Sequence, residues 1–257
     1  MSRISSVFAQ SRHTALIPYV TVGYPTVETT LKAVPLFASA GCDIIELGIP
    51  FSDPLADGAT IQRASYEALR QGVTPKVCFE VAKELRRRVQ TPLVFMTYYN
   101  PVLKFGLGQF CSKCAEVGID GLIIPDLPPE EGKELEKSTE RHGLDLVYLL
   151  SPASTQERIK LVTSRSSGFI YLVSLTGVTG TRDKLPEELE SFVGSVRKRT
   201  DKPLCVGFGV STPEQARRVA EVADGVIVGS RIIQLLDEDK SLKNACSFIK
   251  CLREALS

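Results

Sequence analysis

Short apolar runs recur along the chain at Leu16 to Val22, Ile44 to Leu47, Leu93 to Thr97, Leu122 to Ile124, Leu146 to Leu150, Phe169 to Val173, Leu204 to Val206 and Gly225 to Val228. Runs that are apolar on both faces predict strands of a parallel sheet buried under helices. Between them the apolar spacing becomes helical and capping residues appear. Thr26 opens a helix to about Ala40, Thr74-Pro75 opens one to Arg88, and Pro128-Pro129-Glu130-Glu131 begins one ending near His142. Further starts fall at Ser154 or Thr155, at Pro186 and at Thr212-Pro213-Glu214. Pro35 lies inside the first of these helices, where it is expected to kink or shorten it.

One junction repeats. Gly41-Cys42-Asp43, Gly118-Ile119-Asp120, Gly143-Leu144-Asp145 and Ala223-Asp224 each stand just before an apolar run, as a helix end leading into a buried strand. Eight strand-helix units in 257 residues average about 32 residues each, and no Gly/Ser linker interrupts them. The prediction is one domain over residues 1–257, an α/β (β/α)8 TIM barrel with extra N-terminal and short phosphate-binding helices. Alternation alone also allows a doubly wound sheet, but Gly23 stands alone where such folds carry a G-x-G-x-x-G turn.

Composition narrows the functional classes. With 31 Lys+Arg against 30 Asp+Glu the net charge is +1, which provides no general attraction to nucleic acid or anionic membrane. No run approaches the ~20 apolar residues of a membrane span, and Met1 to Gln10 lack the pattern of a secretory signal. Seven cysteines, an odd number scattered through apolar segments, fit a reducing cytoplasmic compartment. Cys111 and Cys114 lack a second ligand pair at zinc spacing and are expected to be buried thiols on one helix face. His142 is expected at a helix end and His13 in a polar lead-in without a partner pattern.

In such a barrel the chemistry sits just after the strands. Gly207-Phe208-Gly209 follows the seventh run, and Gly229-Ser230 follows the eighth and opens a short helical stretch. Loops of this kind bind phosphate through backbone N–H groups and a helix N-terminus. The small-residue stretch 174–185 after the sixth run is suited to closing over a ligand. On the second strand, alternation puts Ile44 and Glu46 on one face and Ile45 and Leu47 on the other. If the second pair faces the helices, Glu46 points into the barrel mouth, where desolvation favours its protonated form. Asp53 and Asp57 follow in a Pro- and Gly-containing loop and are open to two readings, acid/base partner or turn former.

The stretch from Glu46 to Gln62, ELGIPFSDPLADGATIQ, resembles the signature of the tryptophan synthase alpha subunit family. Pro18-Tyr19-Val20-Thr21, Tyr99-Asn100-Pro101, Pro125-Asp126-Leu127-Pro128, YLVSLTGVTGTR from Tyr171 to Arg182, and the two late glycine loops extend the resemblance in order over the chain. It implies a lyase that cleaves indole-3-glycerol phosphate to indole and glyceraldehyde 3-phosphate by a retro-aldol route. Glu46 then matches the general acid/base, and Asp57 the acceptor of the indole N–H. Thr179 matches a threonine that holds the sixth loop beside that aspartate. Tyr19, Ile61, Met96, Ile123 and Tyr171 match the pocket wall, and Gly180, Gly207, Phe208, Gly209, Gly229 and Ser230 the phosphate-binding loops. Arg231 stands where relatives commonly carry a small residue. The resemblance also implies a pyridoxal-phosphate beta subunit in an α2β2 complex, contacted through Asp53, Asn100, Asp126 and Pro128, with neither metal nor organic cofactor in this chain. Competing expectations are another phosphate-binding barrel enzyme, an alpha-like subunit without its own chemistry, and a lyase that acts alone.

Overall fold

The computed structural model describes residues 1–10, 13–173, 187–207 and 209–257. Its strands are β1 (Ala15–Thr21), β2 (Ile45–Gly48), β3 (Leu93–Met96), β4 (Gly121–Ile123), β5 (Asp145–Val147), β6 (Leu149–Leu150), β7 (Ile170–Val173), β8 (Leu204–Gly207) and β9 (Gly225–Val228). All pairings are parallel, in the order β5-β4-β3-β2-β1-β9-β8-β7-β6. β5 and β6 are consecutive in the chain and together form the single expected run, so the sheet closes into a barrel of eight strand positions. The interruption falls at Tyr148, whose N–H donates to Ser166 Oγ at 3.0 Å while its carbonyl accepts from Tyr171 N–H at 3.1 Å.

Strand alternation sorts the apolar residues into two cores. Ile17, Ile44, Val94, Ile123, Val147, Phe169, Cys205 and Ile227 fill the barrel, joined at its base by Ile4 of the N-terminal helix α1 (Arg3–Gln10). The opposite positions, among them Val20, Ile45, Leu47, Phe95 and Leu122, pack outward against the helices. The helices that matter below are α2 (Val27–Ser39), α3 (Ala59–Arg70), α4 (Pro75–Arg88), α5 (Tyr99–Phe105), α6 (Leu107–Val117), α7 (Lys133–Arg141), α8 (Gln156–Arg165), α9 (Glu187–Arg197), α10 (Pro213–Ala220), α11 (Ser230–Glu238) and α12 (Lys243–Ala255). Thr26, Thr74, Thr155 and Thr212 cap α2, α4, α8 and α10 by accepting from the N–H three residues on.

The repeated Gly-x-Asp junction has a specific job. Asp43 Oδ2 accepts from Leu16 N–H at 2.8 Å, Asp120 Oδ2 from Leu93 N–H at 2.9 Å, and Asp224 Oδ2 from Leu204 N–H at 2.7 Å. Each carboxylate therefore ties the start of its own strand to the start of a neighbour. Each also meets an arginine from a helix: Arg253 at 2.8 Å, Arg86 at 2.7 Å, and Arg197, respectively. Asp145 departs from the pattern and takes Ser2 Oγ at 2.5 Å.

Three expectations need correction. Pro35 does not end α2, which continues to Ser39. The carbonyl of Leu31, the partner that Pro35 leaves without an N–H, accepts from Arg88 Nη1 at 3.3 Å. The helix expected from Pro128 to His142 divides into a 3-10 turn, Pro129–Glu131, and α7, with Gly132 between them. A Cβ on Gly132 would lie 1.7 Å from the Tyr148 hydroxyl, so the break makes room for that side chain. His13 does have a partner, Asp43 at 2.9 Å.

His142 Nδ1 lies 2.8 Å from the Ser138 carbonyl at the end of α7. Cys111 and Cys114 are buried on α6, as expected of them. The expected loop 174–185 and the helix start at Pro186 lie outside the described residues.

The buried junctions should dominate stability over exposed ion pairs. Arg86→Met leaves the half-buried Asp120 with only the more distant Arg3, 3.7 Å away, and is expected to cost about 3 kcal/mol in urea unfolding. Lys113→Met breaks an exposed pair with Glu116 and is expected to cost less than about 0.5 kcal/mol.

Candidate active site

A cavity of about 750 Å³ opens at the C-terminal ends of the strands. Its wall includes Tyr19, Glu46, Asp57, Ile61, Met96, Tyr171, Gly207, Gly209, Gly229 and Ser230, all singled out from the sequence. Ile123 is not among the lining residues. It is fully buried in the barrel interior, where its register partners are Met96 of β3 and Val147 of β5. Thr179, Gly180 and Phe208 lie outside the described residues.

Ile44 belongs to the barrel interior while Ile45 and Leu47 pack against the helices, which aims Glu46 inward. Only 1% of Glu46 is exposed, and neither carboxyl oxygen has a hydrogen-bond partner among the described residues. Burial raises its pKa from 4.5 to about 8, with the nearby Asp57 charge adding to the shift. Asp57 is half-buried, and desolvation raises it from 3.8 to about 6, opposed by a hydrogen bond from Tyr98. At neutral pH the pair is therefore one neutral acid and one carboxylate, the separation that acid/base chemistry needs.

The Asp57 loop is held by a residue that sequence reasoning missed. Tyr98, just after β3, accepts from Ala56 N–H at 3.0 Å, donates to the Asp57 carboxylate, and stacks on Phe51 with ring centroids 5.2 Å apart. Its signal was the position immediately after a strand, overshadowed by the adjoining Tyr99-Asn100-Pro101. Ser65 Oγ secures the other end of the loop, accepting from Phe51 N–H at 2.9 Å and donating to its carbonyl at 3.1 Å.

Two glycines open the site by steric room. A Cβ at Gly48 would lie 2.1 Å from the Tyr19 hydroxyl, and one at Gly207 would lie 2.5 Å from the Tyr171 hydroxyl. Gly207 therefore accommodates a tyrosine within the barrel as well as bordering the cavity. Both phenols have raised pKa values, chiefly through burial, and stay neutral. At the other end α11 begins at Ser230 without a side-chain cap, so its first N–H groups are left for an anion. Arg231 turns away along the helix to Glu238 at 3.0 Å.

The cavity also reaches Leu149, Leu150, Ser151, Ser154, Thr155 and Arg158, beyond the residues expected. Asp53, Asn100 and Asp126 are exposed and Pro128 is half-buried; Asn100 lies in the first turn of α5 and the other three on loops. Among the described residues no group of three His, Cys, Asp or Glu side chains is placed to hold a metal.

A family model for the tryptophan synthase alpha chain matches residues 6–255. The chain belongs to the tryptophan synthase alpha chain family. It is 57% identical over 256 residues to the tryptophan synthase alpha chain of Dehalococcoides mccartyi, covering 100% of both chains. Its fold is similar to that of tryptophan synthase subunit alpha from Legionella pneumophila, with a TM-score of 0.92 and 35% identity over 99% of this chain and 98% of that one. It also matches a chain of Mycobacterium tuberculosis tryptophan synthase in its aminoacrylate-bound form, with a TM-score of 0.91 and 36% identity over 100% of both.

For this family member the burial of Glu46 carries a cost in stability. Its folded pKa of about 8 lies above the unfolded 4.5, so its contribution is greatest below pH 4.5 and is lost as pH rises to about 8. Glu46→Gln is expected to match the parent in acid and to exceed its melting temperature above pH 8, as thermal unfolding across pH would read.

Proposed function

We propose that this chain cleaves indole-3-glycerol phosphate to indole and glyceraldehyde 3-phosphate, as the alpha subunit of tryptophan synthase. The observation that carries the reading is Glu46, a buried, unpartnered carboxyl poised as an acid beside the carboxylate of Asp57, in a cavity that ends on a helix N-terminus.

The phosphate is held at Gly209, Gly229 and Ser230, where the first turn of α11 supplies N–H groups and the positive end of its dipole. The indole lies between the apolar side chains of Ile61, Met96 and Tyr171. Glu46, protonated at neutral pH, gives its proton to the ring carbon that bears the side chain. Asp57 accepts the indole N–H and stabilises the positive charge that forms on the ring. The Glu46 carboxylate then takes the proton of the hydroxyl on the attached carbon. The carbonyl forms, the carbon–carbon bond breaks, and its electron pair returns to the ring. Indole and the aldehyde leave, and Glu46 is again protonated.

The proposed partner is a beta subunit in an α2β2 complex, docked on Asp53, Asn100, Asp126 and Pro128. Pyridoxal phosphate is assigned to that partner and no cofactor to this chain. The proposed compartment is the cytoplasm, where free thiols such as Cys251 stay reduced.

Glu46→Gln is expected to lower kcat for indole release by at least about 1,000-fold, since acid/base steps contribute on the order of 100- to 10,000-fold each. Turnover near the parent's would overturn the role. In the parent, kcat/KM should rise through about pH 6 as Asp57 ionises and fall through about pH 8 as Glu46 loses its proton. Purified beta subunit is expected to accelerate cleavage; equal rates with and without it would indicate a lyase that acts alone.

A further inference from the structure

The end of α11 opposite the cavity holds an arrangement that the reaction just described does not use. Asp237, in the last turn of this helix, accepts from the Tyr24 hydroxyl at 2.5 Å and from Arg63 of α3. An acidic side chain there faces the negative end of the helix dipole, an unfavourable position when it stands alone. Here a phenol and a guanidinium offset that cost, and three segments converge on one carboxylate: the turn after β1, helix α3 and helix α11. Tyr24 is almost fully buried, and the bond to Asp237 together with burial raises its pKa to about 12, so it remains a donor throughout the working pH range.

A small apolar cluster connects this point to the cavity. Tyr19, Tyr24, Ala64 and Ile233 pack together, with Ile61 and Met96 against them. Tyr19, Ile61 and Met96 also line the cavity. On α11, Ser230, Ile233 and Asp237 follow one another at helical spacing, so a single face presents the anion-binding end, the packed residue and the clamped carboxylate. On α3, Arg63 lies between Ile61 and Ala64, one turn beyond the loop that carries Asp57.

We infer that Asp237, with Tyr24 and Arg63, is a positioning residue for the substrate phosphate: it fixes the placement of α11 against α3, and through it the distance between the anion-binding N–H groups and the acid-bearing loop. The inference rests on the reading of the Ser230 end as the phosphate site. Nothing at Asp237 touches substrate, so its loss should affect binding of the phosphate more than the bond-breaking step.

The test compares the parent with Asp237→Asn and Tyr24→Phe, the latter keeping the ring and removing only the hydroxyl. Steady-state cleavage of indole-3-glycerol phosphate and calorimetric titration with inorganic phosphate are measured on each. Asp237→Asn is expected to raise KM and the phosphate dissociation constant together by about fivefold, with kcat within about twofold of the parent, as the loss of one charge-assisted hydrogen bond implies. Tyr24→Phe should move both in the same direction by a smaller factor, and Asp237→Glu should restore part of the loss. Unchanged KM and phosphate affinity in Asp237→Asn, even with a lowered melting temperature, would overturn the inference and leave a structural contact only. If the parent binds phosphate but cleaves nothing, the functional reading fails while the phosphate titrations still decide the clamp. A parent that binds no phosphate overturns the clamp.

Discussion

A carboxyl group enclosed by apolar side chains with neither a cation nor a hydrogen-bond donor is expensive to bury, and it persists only as the neutral acid. Glu46 is in that position, and the architecture around it can be understood as what allows the position to exist. A closed parallel barrel surrounds it with walls whose backbone groups are already paired with one another, so no neighbouring N–H is left over to bond it. The low polarity that makes Glu46 costly in the folded chain is also what raises its proton affinity into the range of a working acid.

The two ends of the barrel divide the electrostatic work. At the base, Asp43, Asp120 and Asp224 each receive a backbone N–H and an arginine, so each of these carboxylates is paired. At the mouth, Glu46 is left without a partner, α11 starts without a cap, and Asp57 depends on a single tyrosine. Stability accumulated at the closed end tolerates unsatisfied groups at the open one, which is the usual relation between a scaffold and its site. Tyr98 lies at the boundary, since one side chain both holds the backbone of the Asp57 loop and counters the rise in proton affinity that burial gives its carboxylate.

Much of this was legible in the amino-acid order, and what was not has identifiable reasons. The inward aim of Glu46 followed from period-2 alternation, because a strand with apolar residues on its helix-facing side leaves only one direction for a carboxylate. The strand count followed from the apolar runs, with the fifth run divided at Tyr148 by a bond to Ser166 that no local pattern encodes. That α2 runs on past Pro35 was not legible, because the donor that bonds the carbonyl left open is Arg88, a residue of another helix. Gly207 was read as an anion-binding glycine from its loop, whereas its contact with the Tyr171 hydroxyl depends on two strands being side by side. Tyr98 was overshadowed and the Asp237 clamp invisible for a related reason: their partners are distant in sequence and meet only when neighbouring strands are side by side. Ile123 was assigned to the pocket wall by family likeness; it is buried in the barrel interior beside the cavity-lining Met96 and is not itself among the lining residues.

The contact between Gly48 and the Tyr19 hydroxyl has a consequence for how this barrel can change over time. A Cβ at position 48 would lie 2.1 Å from that oxygen and 2.5 Å from the ring carbon that bears it, so Gly48→Ala is tolerated only after the Tyr19 ring has been replaced or has moved aside. The order in which a smaller side chain replaces the ring at position 19 first leaves a void that a later methyl at position 48 can fill. The two positions form one epistatic unit with a preferred order of substitution. Libraries that vary them jointly would reach pocket shapes closed to those that vary either alone.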